Sequence, residues 1–344
     1  MSRQTPIRDT RVTLKTIAEL ADVHVSTVSR ALNPDEADKV HPETLRRVRA
    51  FADELGYEPH PWARSLRTRR SMLIGLLVPR LIDGVLALMF EAAEDRARAH
   101  GYQAVTTSTR DRPDEQARLV AALRERRVDG LILATTVTDD PLLDQLADDE
   151  VPFVLMNRTS DAHLGVAGDD VRGGRLATEH LLEQGHTRIA MVSGPRNVST
   201  AVDRTAGYRE ALTARGLPTD DLVVWSSFVA EDAHRDVAPL LDRSDRPSAV
   251  VAVNDATAIG VLAAARDRGL RIPEDLAVVG YNDSPIAGML PVPLSSVHIP
   301  LERMGALAVD LLVARLRGEA PTSITLVPEL VVRASSRSPR VADM

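Results

Sequence analysis

Apolar side chains near the amino terminus repeat at helical spacing. They fall at i, i+3, i+4 and i+7 from Leu14 to Ala21, and again at Val28 and Leu32 after a short polar corner. Each stripe is too narrow to form a core alone. We therefore predict two short helices that bury their stripes against each other.

A third helix is expected to follow the pair. It begins at Pro42, a favoured first helical residue, and Gly56 ends it. The second helix would expose small polar side chains and one cation, a set that suits a helix in the DNA major groove. An ordinary helix pair with a polar outer face is the alternative. The exposed set is Val25, Ser26, Thr27, Ser29 and Arg30.

From Met72 onward the pattern changes to short apolar runs that alternate with amphipathic stretches. One series covers 73–134, and a second series begins at 189 and reaches 279. This βαβ rhythm predicts an α/β fold with two parallel-sheet lobes. Ligands of such folds bind at the carboxyl ends of the strands, so two facing lobes would form a cleft that can close.

Composition limits the possible functions. The 344 residues include no cysteine, which excludes disulfides, thiolate catalysis and cysteine-bound zinc. No apolar run approaches the roughly 18 residues of a membrane span, and the amino-terminal residues lack the apolar centre of a signal peptide. We therefore expect a cytoplasmic protein.

Charge is distributed unevenly along the chain. The net charge is −7, but residues 1–70 carry 13 Lys and Arg against 10 Asp and Glu, while the rest carries 29 against 39. An acidic body would be repelled by DNA phosphates while a basic head approaches them. This asymmetry favours a nucleic-acid role for the amino-terminal part.

Residues 12–78 resemble the head and hinge of the LacI/GalR (lactose-repressor) family of bacterial transcription regulators, and the likeness extends through nearly the whole chain. The resemblance implies a helix-turn-helix head at 1–60, a hinge helix at 61–71, and a two-lobed, periplasmic-binding-protein-like core at 72–344. The matching residues are Val12-Thr13-Leu14, Ala18, Ala21, Val23, Thr27-Val28-Ser29-Arg30, Leu32-Asn33, Arg47-Val48, Leu55-Gly56-Tyr57, Pro59, Ala63-Arg64-Ser65-Leu66 and Arg69.

In such a protein, operator DNA is read by the second helix and by the hinge. Val25, Ser26 and Arg30 match the family's base readers, with Arg30 the strongest candidate for a guanine contact. Phosphate contacts or helix starts are expected at Thr13, Thr27 and Ser29. Asn33 belongs to the same matching set. In the hinge, the resemblance implies minor-groove contacts by Ala63, Arg64 and Leu66, where a plain solvated linker is the alternative.

Two features of the head depart from the family pattern. His24 and His41 stand where a helix-capping serine is common, and Asp22 stands where glycine is usual. The corner and the caps are therefore expected to differ slightly. For the histidines, an exposed substitution without a role is the preferred interpretation, and phosphate contacts that strengthen on protonation are the alternative.

Candidate effector-binding residues come after the strands of the core. Asp83, Arg158 and Asn254 follow apolar runs directly, and the resemblance adds Asp170, Thr200, Arg204, Phe228 and Asn282. A guanidinium and planar amides can hold vicinal hydroxyls or a carboxylate, and a phenyl ring can stack on a sugar. Arg204 and Asn254 are the leading candidates.

Structural roles compete with each assignment. Asp170 and Asp255 could cap helices, with capping preferred for Asp255, and Arg204 could serve a structural ion pair. Asn157 and Arg158 could serve the interface between the lobes. His180 and His186 would lie on different helix faces, so we interpret them as ordinary surface and helix-end residues and expect no metal site.

The effector is expected to be a sugar, a glycoside or a sugar acid, with a purine or another metabolite left open. Asp83-Gly84-Val85-Leu86 replaces the family's frequent Asn-Pro-Phe-Phe, and Asn282 replaces a customary aspartate. These changes remove stacking surface and one double acceptor. No cofactor is expected.

The resemblance implies a homodimeric repressor on a pseudo-palindromic operator, controlled allosterically by the effector. Two other classes compete with this interpretation: a cytoplasmic or transport-type sugar-binding protein, and an α/β enzyme using the same cleft. The basic head argues against the first. The second lacks a Gly-x-Ser-x-Gly elbow, a Walker loop and a His-Glu-x-x-His motif, so no enzyme is expected.

A first prediction concerns the hinge. Leu66 is the lone large apolar side chain of the basic run 63–70, and a wedge between base steps would require a kinked operator. We expect Leu66→Ala to weaken specific DNA binding far more than nonspecific binding, as measured by fluorescence anisotropy on both DNAs. Equal losses on the two DNAs would contradict the wedge.

Overall fold

The computed structural model describes residues 12–33, 36–57, 70–81, 84–219 and 222–337. The chain forms two compact units, Met1–Ser71 and Met72–Met344. Most of the predicted hinge, with Ala63, Arg64 and Leu66, lies outside the described residues, as does Asp83.

The first unit consists of three α-helices. They are α1 (Leu14–Leu20), α2 (Val25–Ala31) and α3 (Pro42–Glu54), with a short 3₁₀ helix at Ala37–Lys39. Ile17 of α1, Val28 of α2 and Val48 of α3 are fully buried, so the predicted stripes do pack together.

The corner between α1 and α2 explains two of the sequence departures. Asp22 adopts φ 50°, a left-handed conformation that favours glycine and that Asp tolerates better than most residues. His24 precedes α2, and its Nδ1 accepts a hydrogen bond from the Ser26 amide at 3.2 Å. The interpretation of His24 as a residue without a role is therefore wrong, because its ring performs the capping. The His41 side chain makes no capping bond.

The first lobe of the second unit contains a six-stranded parallel sheet in the order β11-β5-β4-β3-β1-β2. Four helices cover its faces. The strands are β1 (Leu73–Val78), β2 (Gln103–Ser108), β3 (Gly130–Leu133), β4 (Phe153–Met156), β5 (Gly165–Gly168) and β11 (Ile324–Leu326). The helices are α4 (Gly84–Ala99), α5 (Pro113–Glu125), α6 (Pro141–Asp148) and α11 (Leu301–Leu316).

The second lobe repeats this construction with strand order β12-β10-β9-β8-β6-β7, in which only the β10–β12 pair is antiparallel. Its strands are β6 (Ile189–Ser193), β7 (Val223–Trp225), β8 (Ala249–Ala252), β9 (Ala277–Asn282), β10 (Ser295–His298) and β12 (Glu329–Val331). Its helices are α7 (Asp170–Glu183), α8 (Ser199–Ala214), α9 (Ala230–Leu241) and α10 (Asp255–Asp267), with 3₁₀ turns at Ala287–Met289 and Ala334–Ser336.

The chain crosses between the lobes three times. It leaves the first sheet between β5 and α7, returns between β10 and α11, and leaves again between β11 and β12. Every residue of β3, β4, β6, β8 and β9 is buried, as expected for parallel strands with both faces covered. The α/β architecture of two parallel-sheet lobes predicted from the rhythm of the sequence is confirmed.

Within the described ranges, none of the helices combines the length and apolarity that a membrane span requires.

Two glycines allow α7 and α8 to approach closely. A Cβ at Gly174 of α7 would overlap the Arg204 carbonyl oxygen, and a Cβ at Gly207 of α8 would overlap the Val171 carbonyl oxygen. Both obstacles are backbone atoms, which cannot rotate away. This close contact fixes the position of the helix that carries Thr200 and Arg204.

We expect Gly207→Ala to lower the free energy of unfolding by about 1–3 kcal/mol, because the added methyl overpacks a helix contact. Urea denaturation measures this change. Gly84→Ala is the matched control, since a Cβ at Gly84 meets no atom within 4 Å among the described residues. Equal stability of the two variants would contradict the close approach of α7 and α8.

Candidate functional site

A cavity of about 470 Å³ lies between the two lobes, bounded by loops at the carboxyl ends of strands from both sheets. We call it the interlobe cleft. Its size is typical of small-molecule sites. The predicted residues among its walls are Arg158, Thr200, Arg204, Phe228, Asn254 and Asn282.

Arg204 of α8 is tied to Asp170 at the beginning of α7. Its Nε donates to Asp170 Oδ1 at 2.7 Å, and its Nη1 donates to the Val253 carbonyl at 2.7 Å. The guanidinium carbon lies 3.6 Å from the centroid of the Tyr281 ring. The Arg204 and Asp170 side chains are only 5% and 6% exposed. Arg204 therefore lines the cleft wall and also forms an ion pair, the structural role that the sequence analysis gave as the alternative.

The charges of this pair depend on each other. Burial raises the pKa of Asp170, and the adjacent Arg204 charge opposes that shift. Burial also acts to lower the pKa of Arg204, but the interactions with Asp170 and Tyr281 together more than compensate, so the pKa of Arg204 is raised. Since the contact is short and charge-assisted, we describe the two as an ion pair.

Asp170 does not cap its helix. The side chain of Asp169, the preceding residue, accepts from the Arg172 amide at 3.0 Å and performs this role. Asp170 is the first residue of α7 and points to Arg204 instead.

Arg158 holds an equivalent place in the first lobe. Its Nη2 donates to Asp111 Oδ1 at 2.8 Å, and its Nη1 donates to the Thr135 carbonyl at 3.2 Å. Its guanidinium carbon lies 5.7 Å from the centroid of the Phe228 ring, which belongs to the second lobe. Arg158 thus lines the cleft and also contacts the opposite wall.

Sequence reasoning missed Asp111. It follows β2 in the run Arg110-Asp111-Arg112, and both Arg110 and Asp111 have positive φ, 54° and 57°. In a sequence, an acidic residue between two arginines is typical of a solvated turn. Only the fold shows that its partner, Arg158, comes 47 residues later.

Asn254, not Asp255, caps α10. Its Oδ1 accepts from the Thr257 amide at 2.7 Å, and its Nδ2 donates to the Phe228 carbonyl at 3.3 Å. The preferred interpretation of Asp255 as the cap is wrong, because Asp255 already lies within the helix. Its buried carboxylate accepts from the Ser296 hydroxyl and the Ser284 amide, each at 2.6 Å.

Thr200 and Asn282 are also buried in the cleft wall, 3% and 8% exposed. Thr200 lies in the first turn of α8, and Asn282 ends β9 with φ 96°. Neither side chain makes a hydrogen bond to another described residue. Both groups are therefore available to a ligand.

The histidines of the second lobe have structural partners. His180 is buried, and its Nε2 shares a hydrogen bond with the Ser336 hydroxyl at 2.8 Å, so its interpretation as a surface residue is wrong. His186 follows α7, and its Nδ1 bonds the Ser248 hydroxyl at 2.9 Å. Burial lowers the pKa of both rings. Among the described residues, no acidic or histidine cluster is arranged to hold a metal ion.

Two hydrogen bonds join the lobes beside the cleft. The Thr138 amide donates to the Asn197 carbonyl at 2.8 Å, and the Thr159 amide donates to the Ser199 hydroxyl at 3.1 Å. Any change in the spacing of the lobes at this side must break or bend these bonds.

In the first unit, the predicted DNA-reading residues of α2 differ in their exposure to solvent. Val25, Ser26 and Arg30 are exposed, whereas Thr27 and Ser29 are partly buried. Thr13 caps α1 through a reciprocal pair of hydrogen bonds with Thr16. The remaining candidate, Asn33, is only 7% exposed and donates to Glu36 Oε2 at 3.1 Å.

Comparison with known proteins identifies the family. The model for bacterial regulatory proteins of the lacI family matches residues 13–60, and a periplasmic binding protein-like domain matches 178–336. The HTH-type transcriptional regulator CelR of Thermobifida fusca is 38% identical over 344 residues, covering 95% of this chain and 99% of the relative. The chain belongs to the LacI family.

Solved structures of LacI-family members agree over nearly the whole chain. The lac repressor dimer bound to operator and the anti-inducer ONPF superposes with a TM-score of 0.86 at 28% identity, covering 96% of this chain and all of that one. The CelR–cellobiose complex gives 0.73 at 36% identity, covering 94% and 100%. The predicted family, the helix-turn-helix plus two-lobed fold, and the function as a DNA-binding transcriptional regulator are confirmed.

Asp203 on α8 generates a prediction about pH. Burial raises its pKa to about 6, the charges of Asp170 and Asp161 add to the shift, and Arg204 opposes it. Because the folded-state pKa exceeds the usual value of 3.8, ionisation disfavours the folded state, and stability falls as pH rises through about 6.

Asp203→Asn removes this penalty. We expect the variant to melt above the wild type at about pH 7.5, with the gap shrinking at about pH 4.5, in differential scanning calorimetry. Asp148→Asn, which changes an exposed carboxylate of α6, is the control. A gap that is independent of pH would refute the assignment.

Proposed function

We propose that this protein is a homodimeric transcriptional repressor that acts in the bacterial cytoplasm. Two heads, residues 1–60, and two hinges, 61–71, hold a pseudo-palindromic operator. The core, 72–344, binds a small carbohydrate between its lobes and thereby changes operator affinity. The observation that carries this proposal is the interlobe cleft, whose buried polar side chains come from both lobes.

The exposed face of α2 supports the DNA-binding part. Arg30 is exposed near the end of the helix and can form a bidentate contact to guanine. Val25 is apolar yet 37% exposed, which suits contact with a thymine methyl group. The lac repressor structure noted above is a dimer on its operator, which supports a paired arrangement here.

The walls of the cleft support a carbohydrate. Thr200, Asn254 and Asn282 offer hydroxyl and amide groups, while Phe228 offers an apolar face of the kind that packs against sugar rings. CelR, which is similar over nearly the whole chain, has been solved with cellobiose. We propose that the ligand is held without chemical conversion and can be recovered unchanged.

Control of DNA binding requires the effector to prefer one arrangement of the lobes. The lobes touch through Arg158 and Phe228 and through the Thr138 and Thr159 amide bonds. A ligand between them changes the balance among these contacts. A coupling of about 1–3 kcal/mol would change operator affinity roughly 5- to 150-fold. We propose induction, in which the ligand lowers operator affinity.

The test starts from a selection on random oligonucleotides with the full-length protein. We expect an inverted repeat whose affinity falls steeply with salt, and a sugar that releases it in fluorescence anisotropy. Arg30→Ala should weaken the selected site by roughly 5- to 150-fold and nonspecific DNA much less. Lys39→Ala removes a cation of the same unit and serves as the control. Recovery of no enriched motif would overturn the proposal.

A further inference from the structure

The cleft wall contains four basic and three acidic side chains among the described residues. Arg80, Arg112, Arg158 and Arg204 lie in its wall, together with Asp111, Asp140 and Glu231. Asp170 is the fourth carboxylate, directly behind Arg204. Whether the cleft favours a charged or a neutral ligand therefore depends on where each of these charges lies.

The two deep guanidiniums are each neutralised by one carboxylate. Arg204 and Asp170 are both almost fully buried and 2.7 Å apart. Arg158 is 6% exposed and lies 2.8 Å from Asp111. A buried guanidinium that already has an anionic partner gains little from a second anion, because the added negative charge has no counter-charge and loses its hydration.

The remaining charges are nearer to solvent or already engaged. Arg80 is 45% exposed and shares the second oxygen of Asp111 at 3.5 Å. Arg112 is 59% exposed and pairs with Glu115. Asp140 accepts from the Gln116 side chain and caps α6. None of these side chains therefore provides a buried, unpaired cation that could bind an anionic ligand.

The buried groups of the wall that remain free are neutral. Within the described part of the chain, Thr135 belongs to the cleft wall, and its buried hydroxyl has no hydrogen-bond partner. The side chains of Thr200 and Asn282 are likewise unpaired there, and both are more than nine-tenths buried. Hydroxyls and an amide can each donate and accept, which matches the hydroxyls of a polyol.

We propose that the interlobe cleft selects a neutral, polyhydroxylated effector, and that Asp111 sets this selectivity by neutralising Arg158. The inference rests on the proposed function and specifies the ligand charge, which the sequence left open between sugar and sugar acid. A ligand carboxylate beside Arg158 meets the Asp111 carboxylate, whereas a ligand hydroxyl meets no such repulsion.

Asp111 is well suited to a charge test. Its φ of 57° lies in the left-handed region, which asparagine also tolerates, so Asp111→Asn removes the charge without changing the backbone. The substitution leaves Arg158 and Arg80 without their shared carboxylate. The cleft then contains an uncompensated guanidinium that an anionic ligand can neutralise.

The experiment is isothermal titration calorimetry of the full-length protein with matched sugar pairs that differ in charge. The probes are cellobiose with cellobionate, glucose with glucuronate, and galactose with galacturonate. We expect at least one neutral sugar to bind the wild type roughly tenfold or more tightly than its acid. Asp111→Asn should shrink that ratio by about tenfold.

Two further variants sharpen the result. Asp149→Asn breaks the Arg124–Asp149 pair, 2.8 Å apart, on the same lobe but outside the cleft, and should leave the ratio unchanged. Arg80→Gln removes a cation that shares Asp111 and should move the ratio further toward the neutral sugar. This second variant tests the charge argument even where Asp111→Asn is unstable.

Three outcomes would overturn the inference: an acid that binds the wild type more tightly than its neutral partner, a ratio that neither Asp111→Asn nor Arg80→Gln moves, or no binding by any neutral sugar. An acid that releases operator DNA would leave the proposed function standing and remove only the charge selectivity. Failure to select any operator would remove the proposed function regardless of the titrations.

Discussion

The second lobe depends on one buried contact, the ion pair between Arg204 and Asp170. It joins the first residue of α7 to the second turn of α8, and through Val253 and Tyr281 it reaches the ends of β8 and β9. Removing one partner of such a pair costs about 3–5 kcal/mol, because a charge is left buried and alone. The glycine contact between α7 and α8 brings the pair to hydrogen-bond distance, so packing and electrostatics fix the same wall of the cleft.

The first lobe has a looser counterpart. Arg158 is as buried as Arg204, but its partner Asp111 is 37% exposed and also shared with Arg80. The wall that contacts Phe228 is therefore held by a pair that water can partly replace. A ligand in the cleft meets one rigid wall and one adaptable wall, which suits a site whose lobes must change their spacing.

The sequence predicted the helices and strands better than it predicted which side chains contact each other. Helical spacing from Leu14 and the βαβ rhythm from Met72 depend on neighbouring residues, so both appear in the structure. Thr200, Arg204 and Asn282 were identified by resemblance and do lie in the cleft wall. The roles of Asp111 and His180 depend on residues 47 and 156 positions away, which no local pattern shows. Whether Asn254 or Asp255 caps α10 depends on a difference of one residue in where the helix begins.

The bond between the Thr138 amide and the Asn197 carbonyl involves main-chain atoms only. Any amino acid except proline supplies the same donor at position 138, and every amino acid supplies the acceptor at 197. Substitutions can thus change what the cleft recognises while this one hydrogen bond between the lobes is retained. A relative that binds a different effector would then keep the same main-chain hydrogen bond between its lobes.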